Sequence, residues 1–152
     1  MKNENMYDVM IAGAGPAGLT AAIYLARACY RVLVVEKEKI GGQITITEEV
    51  VNYPGIEKTD GKSLTAAMYR QAKNFGAEFL MAEVEKLDVD GEYKIVHTNK
   101  GDFSCYGILL ATGAHPRMIG FEGEKRFKGR GVAYCATCDG EFFTGKEIFV
   151  VG

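Results

Sequence analysis

Cys135 and Cys138, with two residues between them, and the carboxylate of Asp139 beside them are the part of this sequence best suited to bond-making chemistry. A C-x-x-C pair can close into a disulfide with little chain motion. It reacts as a thiolate, so its surroundings must lower one thiol pKa. A permanently charged carboxylate would oppose that, and Asp139 therefore reads as an acid/base that hands a proton to a leaving thiol. A structural zinc site would need about four ligands. The remaining cysteines and histidines, Cys29, Cys105, His97 and His115, lack motif spacing, so no metal is expected. Two inert core cysteines are the other reading of the pair.

A second constellation favours redox chemistry. Gly13, Gly15 and Gly18 form G-x-G-x-x-G within GAGPAG. The first glycine permits a tight turn, the second lets the backbone approach a pyrophosphate, and the third allows close packing of helix on strand. The pyrophosphate then sits at the positive end of the helix. Pro16 suits the first helical turn, where its missing N–H costs nothing. Glu36 closes the next apolar run, where it would accept hydrogen bonds from a ribose and repel a 2′-phosphate. This first site therefore suits FAD or NAD better than NADP. A glycine-rich turn followed by a solvated glutamate is the alternative.

The elements that must position these groups follow from the apolar pattern. Residues 7–12 read as a buried strand, 19–30 as an Ala/Leu-rich helix and 31–36 as another buried strand, together a βαβ unit. Residues 62–75 form an amphipathic helix through Leu64, Ala67, Met68, Ala72 and Phe75. One or two short strands lie in 77–89. Two further strands, in 93–98 and 103–112, are joined by the NKGD turn, so that a β-hairpin is inserted into an otherwise parallel sheet. Residues 117–134 read as a glycine- and charge-rich connection, and 147–152 as a new buried strand. Cys29 and Cys105 are expected to be buried and unreactive, in a helix and near a strand. His97 is expected to be exposed or bonded locally. Lys125, Arg126, Lys128 and Arg130 read as a solvated loop, or as a contact for an acidic partner or a nucleotide phosphate.

The chain has 152 residues, 47% hydrophobic and 25% charged, with a formal net charge of −2. That is the composition of a globular domain. No basic block suggests nucleic-acid binding. No apolar run reaches the roughly 18 residues of a membrane span. The segment MKNENMYDV lacks the pattern of a signal peptide, so a cytoplasmic location is expected.

The blocks GAGPAG (13–18), GGQI (41–44), NYPG (52–55), LLATGA (109–114), GRGVAYCATCDG (129–140) and VVG (150–152) occur in that order. In order and spacing the chain resembles the low-molecular-weight, bacterial-type thioredoxin reductases, the class II pyridine nucleotide-disulfide oxidoreductases. The resemblance runs over essentially the whole chain. It implies an α/β fold: a Rossmann-like FAD-binding domain of the disulfide reductase type over 1–117, then the start of an NAD(P)H-binding domain over 118–152 that carries the C-x-x-C pair. It also implies residue roles. Gly13, Gly15, Pro16, Ala17 and Gly18 would cradle the FAD pyrophosphate, and Glu36, with Lys37 beside it, would hold the adenosine end. Gly42, Gln43, Thr47 and Asn52 would line the route to the isoalloxazine. The backbone of Val84 would meet the adenine. Ala111, Thr112 and Gly113 would pass close to the cofactor. Cys138 would face the flavin, Cys135 would attack the disulfide of thioredoxin, and Asp139 would be the general acid/base.

In such an enzyme NADPH reduces FAD, FAD reduces the Cys135–Cys138 disulfide, and the dithiol reduces thioredoxin. The family is homodimeric, and it continues well past the position matching Gly152 with most of the NADPH site and a segment that returns to FAD. This chain is therefore expected to be an N-terminal portion that is inactive alone. The alternatives are a ferredoxin-dependent flavin thioredoxin reductase, a flavoprotein reductase of a peroxiredoxin (an alkyl hydroperoxide reductase), and a non-catalytic FAD-binding module.

Overall fold

The computed structural model describes residues 5–151, without the side chains of Thr137 and Cys138. The chain forms two compact units that divide between Gly113 and Ala114.

The first unit is built on a six-stranded sheet. Its strands are β1 (Met6–Ala12), β2 (Val32–Glu36), β3 (Glu78–Met81), β4 (Val84–Asp88), β5 (Lys94–Thr98) and β6 (Gly101–Leu110). They lie in the order β3-β2-β1-β6-β5-β4. Pairings within β3-β2-β1-β6 are parallel, and those from β6 through β5 to β4 are antiparallel. The expected α/β fold with a hairpin insertion is therefore present, and the antiparallel strands extend the parallel sheet. Helix α1 (Pro16–Arg27) crosses from β1 to β2, and α2 (Gly61–Asn74) precedes β3.

Strand β2 shows why the sheet is covered on both faces. Val32 and Val34 enter the cluster that holds Leu19, Ala22, Leu64, Met68 and Ala72 of the two helices. Leu33 and Val35 face the other way, against Tyr7, Met10, Ala82, Val96 and Cys105. All four are buried, as the run of branched apolar residues in a parallel strand requires. Ala22 and Ala26, both buried, present small side chains on α1. Helix α2 begins at Asp60, whose side chain accepts the Ser63 backbone N–H at 2.8 Å. That interaction is an N-cap and satisfies one of the orphan donors of the first turn.

Two expectations are corrected. Helix α1 ends at Arg27, short of the expected residue 30, and Cys29 lies beyond it with φ of 67°. No glycine stands at the helix end to take the left-handed conformation, so Cys29 takes it. Its side chain is exposed, whereas Cys105 on β6 is buried as expected. Residues 147–151 are not a buried strand. Ile148, Phe149, Val150 and Val151 are all exposed, and no described strand pairs with them. An apolar run becomes a strand only where a neighbouring backbone supplies ladder hydrogen bonds.

The second unit carries two one-turn helices, α3 (Glu124–Phe127) and α4 (Ala136–Asp139), followed by a 3-10 turn at Gly140–Phe143. The basic side chains of Lys125, Arg126, Lys128 and Arg130 are exposed here. Among the described residues, no helix is long and apolar enough to cross a membrane.

Candidate functional site: a dinucleotide crevice and a C-x-x-C turn

The crevice forms where β1, β2 and β6 end. Parallel order places β1 between the other two, so its C-terminal end is where the chain departs to either side, the position at which open α/β sheets bind ligands. The loop after β1 is fixed from several directions. Gly13 N–H donates to the Val35 carbonyl at 2.8 Å, and the Ala12 carbonyl accepts from Ala111 N–H at 2.8 Å. Gly13 has φ of 105°, and a Cβ there would lie 2.2 Å from the Ala111 carbonyl oxygen. Only glycine satisfies both constraints. Gly18 has no room either: a Cβ would meet the Gly13 carbonyl oxygen at 1.9 Å. The first and third glycines thus serve the turn and the packing of α1 against it.

Gly15 differs. A Cβ built on it meets nothing within 4 Å. It is the N-cap of α1, with no side-chain hydrogen bond to the helix end and no acid in the first turn. Pro16 occupies the first turn, and Ala17 is exposed beside it. The positive helix end and the open space at Gly15 could take an anion such as a pyrophosphate.

Glu36 lies below this loop at the end of β2. One carboxylate oxygen accepts the Ala14 backbone N–H at 2.9 Å and the other accepts Glu38 N–H at 2.9 Å. Each oxygen keeps a lone pair, so a ribose hydroxyl can still be bound. The Glu36 carbonyl accepts from Ala82 N–H at 2.9 Å, and Lys37 pairs with Glu83 at 3.9 Å. These contacts bring the start of β4, with half-buried Val84, to the same end of the sheet as Glu36. On the other side, Ala111, Thr112 and Gly113 leave β6, and both Thr112 and Gly113 are exposed.

The GGQI segment returns to the crevice. Gly41 N–H donates to the Ala14 carbonyl at 2.8 Å. Gly42 has φ of 65°, and a Cβ on it would come within 3.2 Å of Gly15 Cα. Gln43 begins a 3-10 turn and is exposed, while Thr47 ends that turn and its carbonyl accepts Gly61 N–H at 3.0 Å. Asn52 is exposed, next to a tight turn in which Ile56 N–H donates to the Tyr53 carbonyl at 3.1 Å.

In the second unit, Cys135 is disulfide-bonded, whereas Cys29 and Cys105 are free thiols. The Cys135 carbonyl accepts Asp139 N–H at 2.9 Å, which closes the turn of α4. Asp139 is half-buried. The Cys138 side chain lies outside the described atoms.

A residue that sequence reasoning missed links two segments of this unit. Glu124 is 2% exposed, the one charged side chain in the buried set among the described residues. It accepts Ile119 N–H at 3.0 Å, Gly120 N–H at 2.6 Å and the Tyr134 hydroxyl at 2.7 Å. The Tyr134 hydroxyl, above all, holds its carboxyl below the usual range.

Residues 7–152 match the family model for pyridine nucleotide-disulphide oxidoreductases. The chain belongs to that family. Among other members of this oxidoreductase family, it is similar to the thioredoxin reductase of Peptoclostridium acidaminophilum, 49% identical over 98% of the chain and 48% of the relative. The thioredoxin reductase of Bacillus subtilis is 47% identical over 100% of the chain and 48% of the relative. Of the solved structures, the thioredoxin reductase from Streptococcus pyogenes superposes with a TM-score of 0.82 at 40% identity, covering 93% of this chain and 46% of that one. The chain spans about half the length of the curated relatives it matches.

Proposed function

We propose that this chain supplies the FAD site and the redox-active disulfide of a thioredoxin-disulfide reductase, in which NADPH is the electron donor and thioredoxin the acceptor. The observation that carries the reading is Cys135 of the C-x-x-C motif, which is disulfide-bonded, in a chain whose other unit builds a crevice at a glycine-rich loop. The similar relatives are named thioredoxin reductases, which supports thioredoxin as the acceptor.

The crevice fits FAD. Gly15 and the first turn of α1 would bind the pyrophosphate, and Glu36 the ribose. Gly42, Gln43, Thr47 and Asn52 would line the flavin side, with Val84 at the adenine and Ala111–Gly113 along the cofactor. FAD, when bound, links two-electron hydride chemistry to thiol chemistry. The chain's own residues do the rest. Cys135 pairs with Cys138, and reduction of that disulfide takes up two electrons and two protons to give two thiols. The Cys135 thiolate then attacks a sulfur of the acceptor's disulfide and forms a mixed disulfide. The Cys138 thiolate attacks Cys135 and releases the acceptor as a dithiol. Asp139, adjacent to the pair, holds and returns the proton that these steps exchange. A homodimer located in the cytoplasm completes the reading.

The test is substitution of Cys135→Ser and Cys138→Ser in the full-length protein. Both variants should keep flavin absorbance and lose thioredoxin reduction. Wild-type turnover in both would remove the redox-pair assignment.

A further inference from the structure

The Glu124 carboxylate of the second unit accepts three hydrogen bonds, and one of its three donors stands next to the reacting cysteine. Its oxygens take the backbone N–H groups of Ile119 and Gly120, which hold the turn before α3. The same oxygen that binds Ile119 also takes the Tyr134 hydroxyl at 2.7 Å. Tyr134 is the residue immediately before Cys135. Burial of a carboxylate is costly unless its lone pairs are filled, and a hydrogen bond between a hydroxyl and an ionised acceptor is among the stronger ones. Three donors from two separate segments converge on Glu124. The carboxylate thus cross-links residues 119–124 to the chain entering C-x-x-C. A bridge Lys128↔Val132 and the Val132 N–H bond to the Phe127 carbonyl at 3.0 Å tie the intervening loop to the same short helix.

From this we infer that Glu124 is a positioning residue for the redox pair. Acting through the Tyr134 hydroxyl, it fixes the backbone that leads into Cys135 and so favours the disulfide over the open dithiol. The inference rests on the reading of Cys135–Cys138 as the redox pair. Glu124 touches no reacting atom. Its effect is preorganisation: a clamped Cys135 loses less freedom when its sulfur bonds to the other cysteine of the motif.

The experiment is redox titration of the full chain in dithiothreitol buffers, with thiol alkylation and mass to count the reduced cysteines. Tyr134→Phe removes the hydroxyl and leaves the ring and both backbone bonds of Glu124 in place. It is expected to make the Cys135 disulfide roughly tenfold easier to reduce, a shift of about 30 mV. Glu124→Gln should act in the same direction. The double variant should add little, since both changes break one network. Thermal denaturation of each variant gives the separate measure of fold. A merely structural role predicts a lower Tm with an unchanged disulfide equilibrium, and that result in Tyr134→Phe would overturn the inference. If Glu124→Gln fails to fold, Tyr134→Phe alone decides. Failure of the wider reading looks different: a wild-type full-length protein that does not reduce thioredoxin contradicts the proposed function and leaves the titration of the Cys135 disulfide readable.

Discussion

The Glu36 carboxylate holds the glycine loop from below: it accepts the Ala14 backbone N–H at 2.9 Å across 22 residues of sequence. The residue expected to hold a ribose is therefore also part of the loop's own scaffold. Glu36→Ala should weaken FAD binding by roughly tenfold or more, since a hydrogen bond to a charged group is lost along with the ribose contact. Flavin fluorescence titration measures this. An unchanged affinity would separate Glu36 from the nucleotide.

The glycines of the loop predict opposite outcomes. Gly13→Ala places a Cβ against the Ala111 carbonyl at a φ of 105°, so the apo chain should lose about 3 kcal/mol or more. Gly15→Ala has an ordinary φ of −74° and open space around it, so apo stability should change by no more than about 1 kcal/mol. FAD affinity should nevertheless fall at least roughly tenfold, because the methyl enters the space proposed for the pyrophosphate. Urea denaturation and flavin titration of the two variants test the contrast. A Gly15→Ala protein that binds FAD normally would place the pyrophosphate elsewhere.

How much of this was legible in the sequence differs by residue. The βαβ unit was clear because β2 is a short run of branched apolar residues and the helix before it carries an Ala/Leu face. The sheet order was not, because nothing in β6 itself marks it as a parallel partner of β1 on the side away from β2. Cys29 was misplaced because the apolar periodicity of α1 continues through it; only the absence of a terminal glycine hinted at a left-handed residue there. Glu124 stands in the charged stretch EGEKRFKGR, whose lysines and arginines read as a solvated loop. Its burial depends on donors at 119, 120 and 134, and only the flanking Gly120 and Gly123 signalled a tight turn. Residues 147–151 have the composition of a strand, but no strand among the described residues pairs with them.

Thiol reactivity should follow the corrected placement. Under native, non-reducing conditions an alkylating reagent should label Cys29 first. Cys105, fully buried and with its thiol pushed up by that burial, should react only on unfolding. Peptide mass mapping over time reads both. Equal labelling of the two would contradict the placement of Cys29 outside the helix.

His97 predicts a pH dependence of stability. It lies between two carboxylates, with Nε2 2.9 Å from Asp88 and Nδ1 2.9 Å from Asp102. Asp88 first, then Asp102, raises its pKa above the ordinary 6.5. A raised value stabilises the folded state fully below 6.5, and the contribution is lost as pH climbs through the higher folded value. Asp88 is lowered from 3.8, by Lys86 first and His97 next, so its contribution is present above 3.8 and is lost as pH falls through the depressed value. The Tm difference between wild type and His97→Gln should thus be largest between about pH 4 and pH 6.5 and shrink on further alkalinisation. A difference that grows with pH would have the wrong sign.

The central claim is that a flavin in the crevice and the Cys135–Cys138 pair belong to one electron path. Its most direct test is anaerobic addition of NADPH to the FAD-loaded full-length protein, followed at once by alkylation and mass analysis of Cys135 and Cys138. The account predicts that both cysteines become alkylated only after NADPH is added and only when FAD is present. Bleaching of the flavin with both cysteines still protected as a disulfide would contradict it.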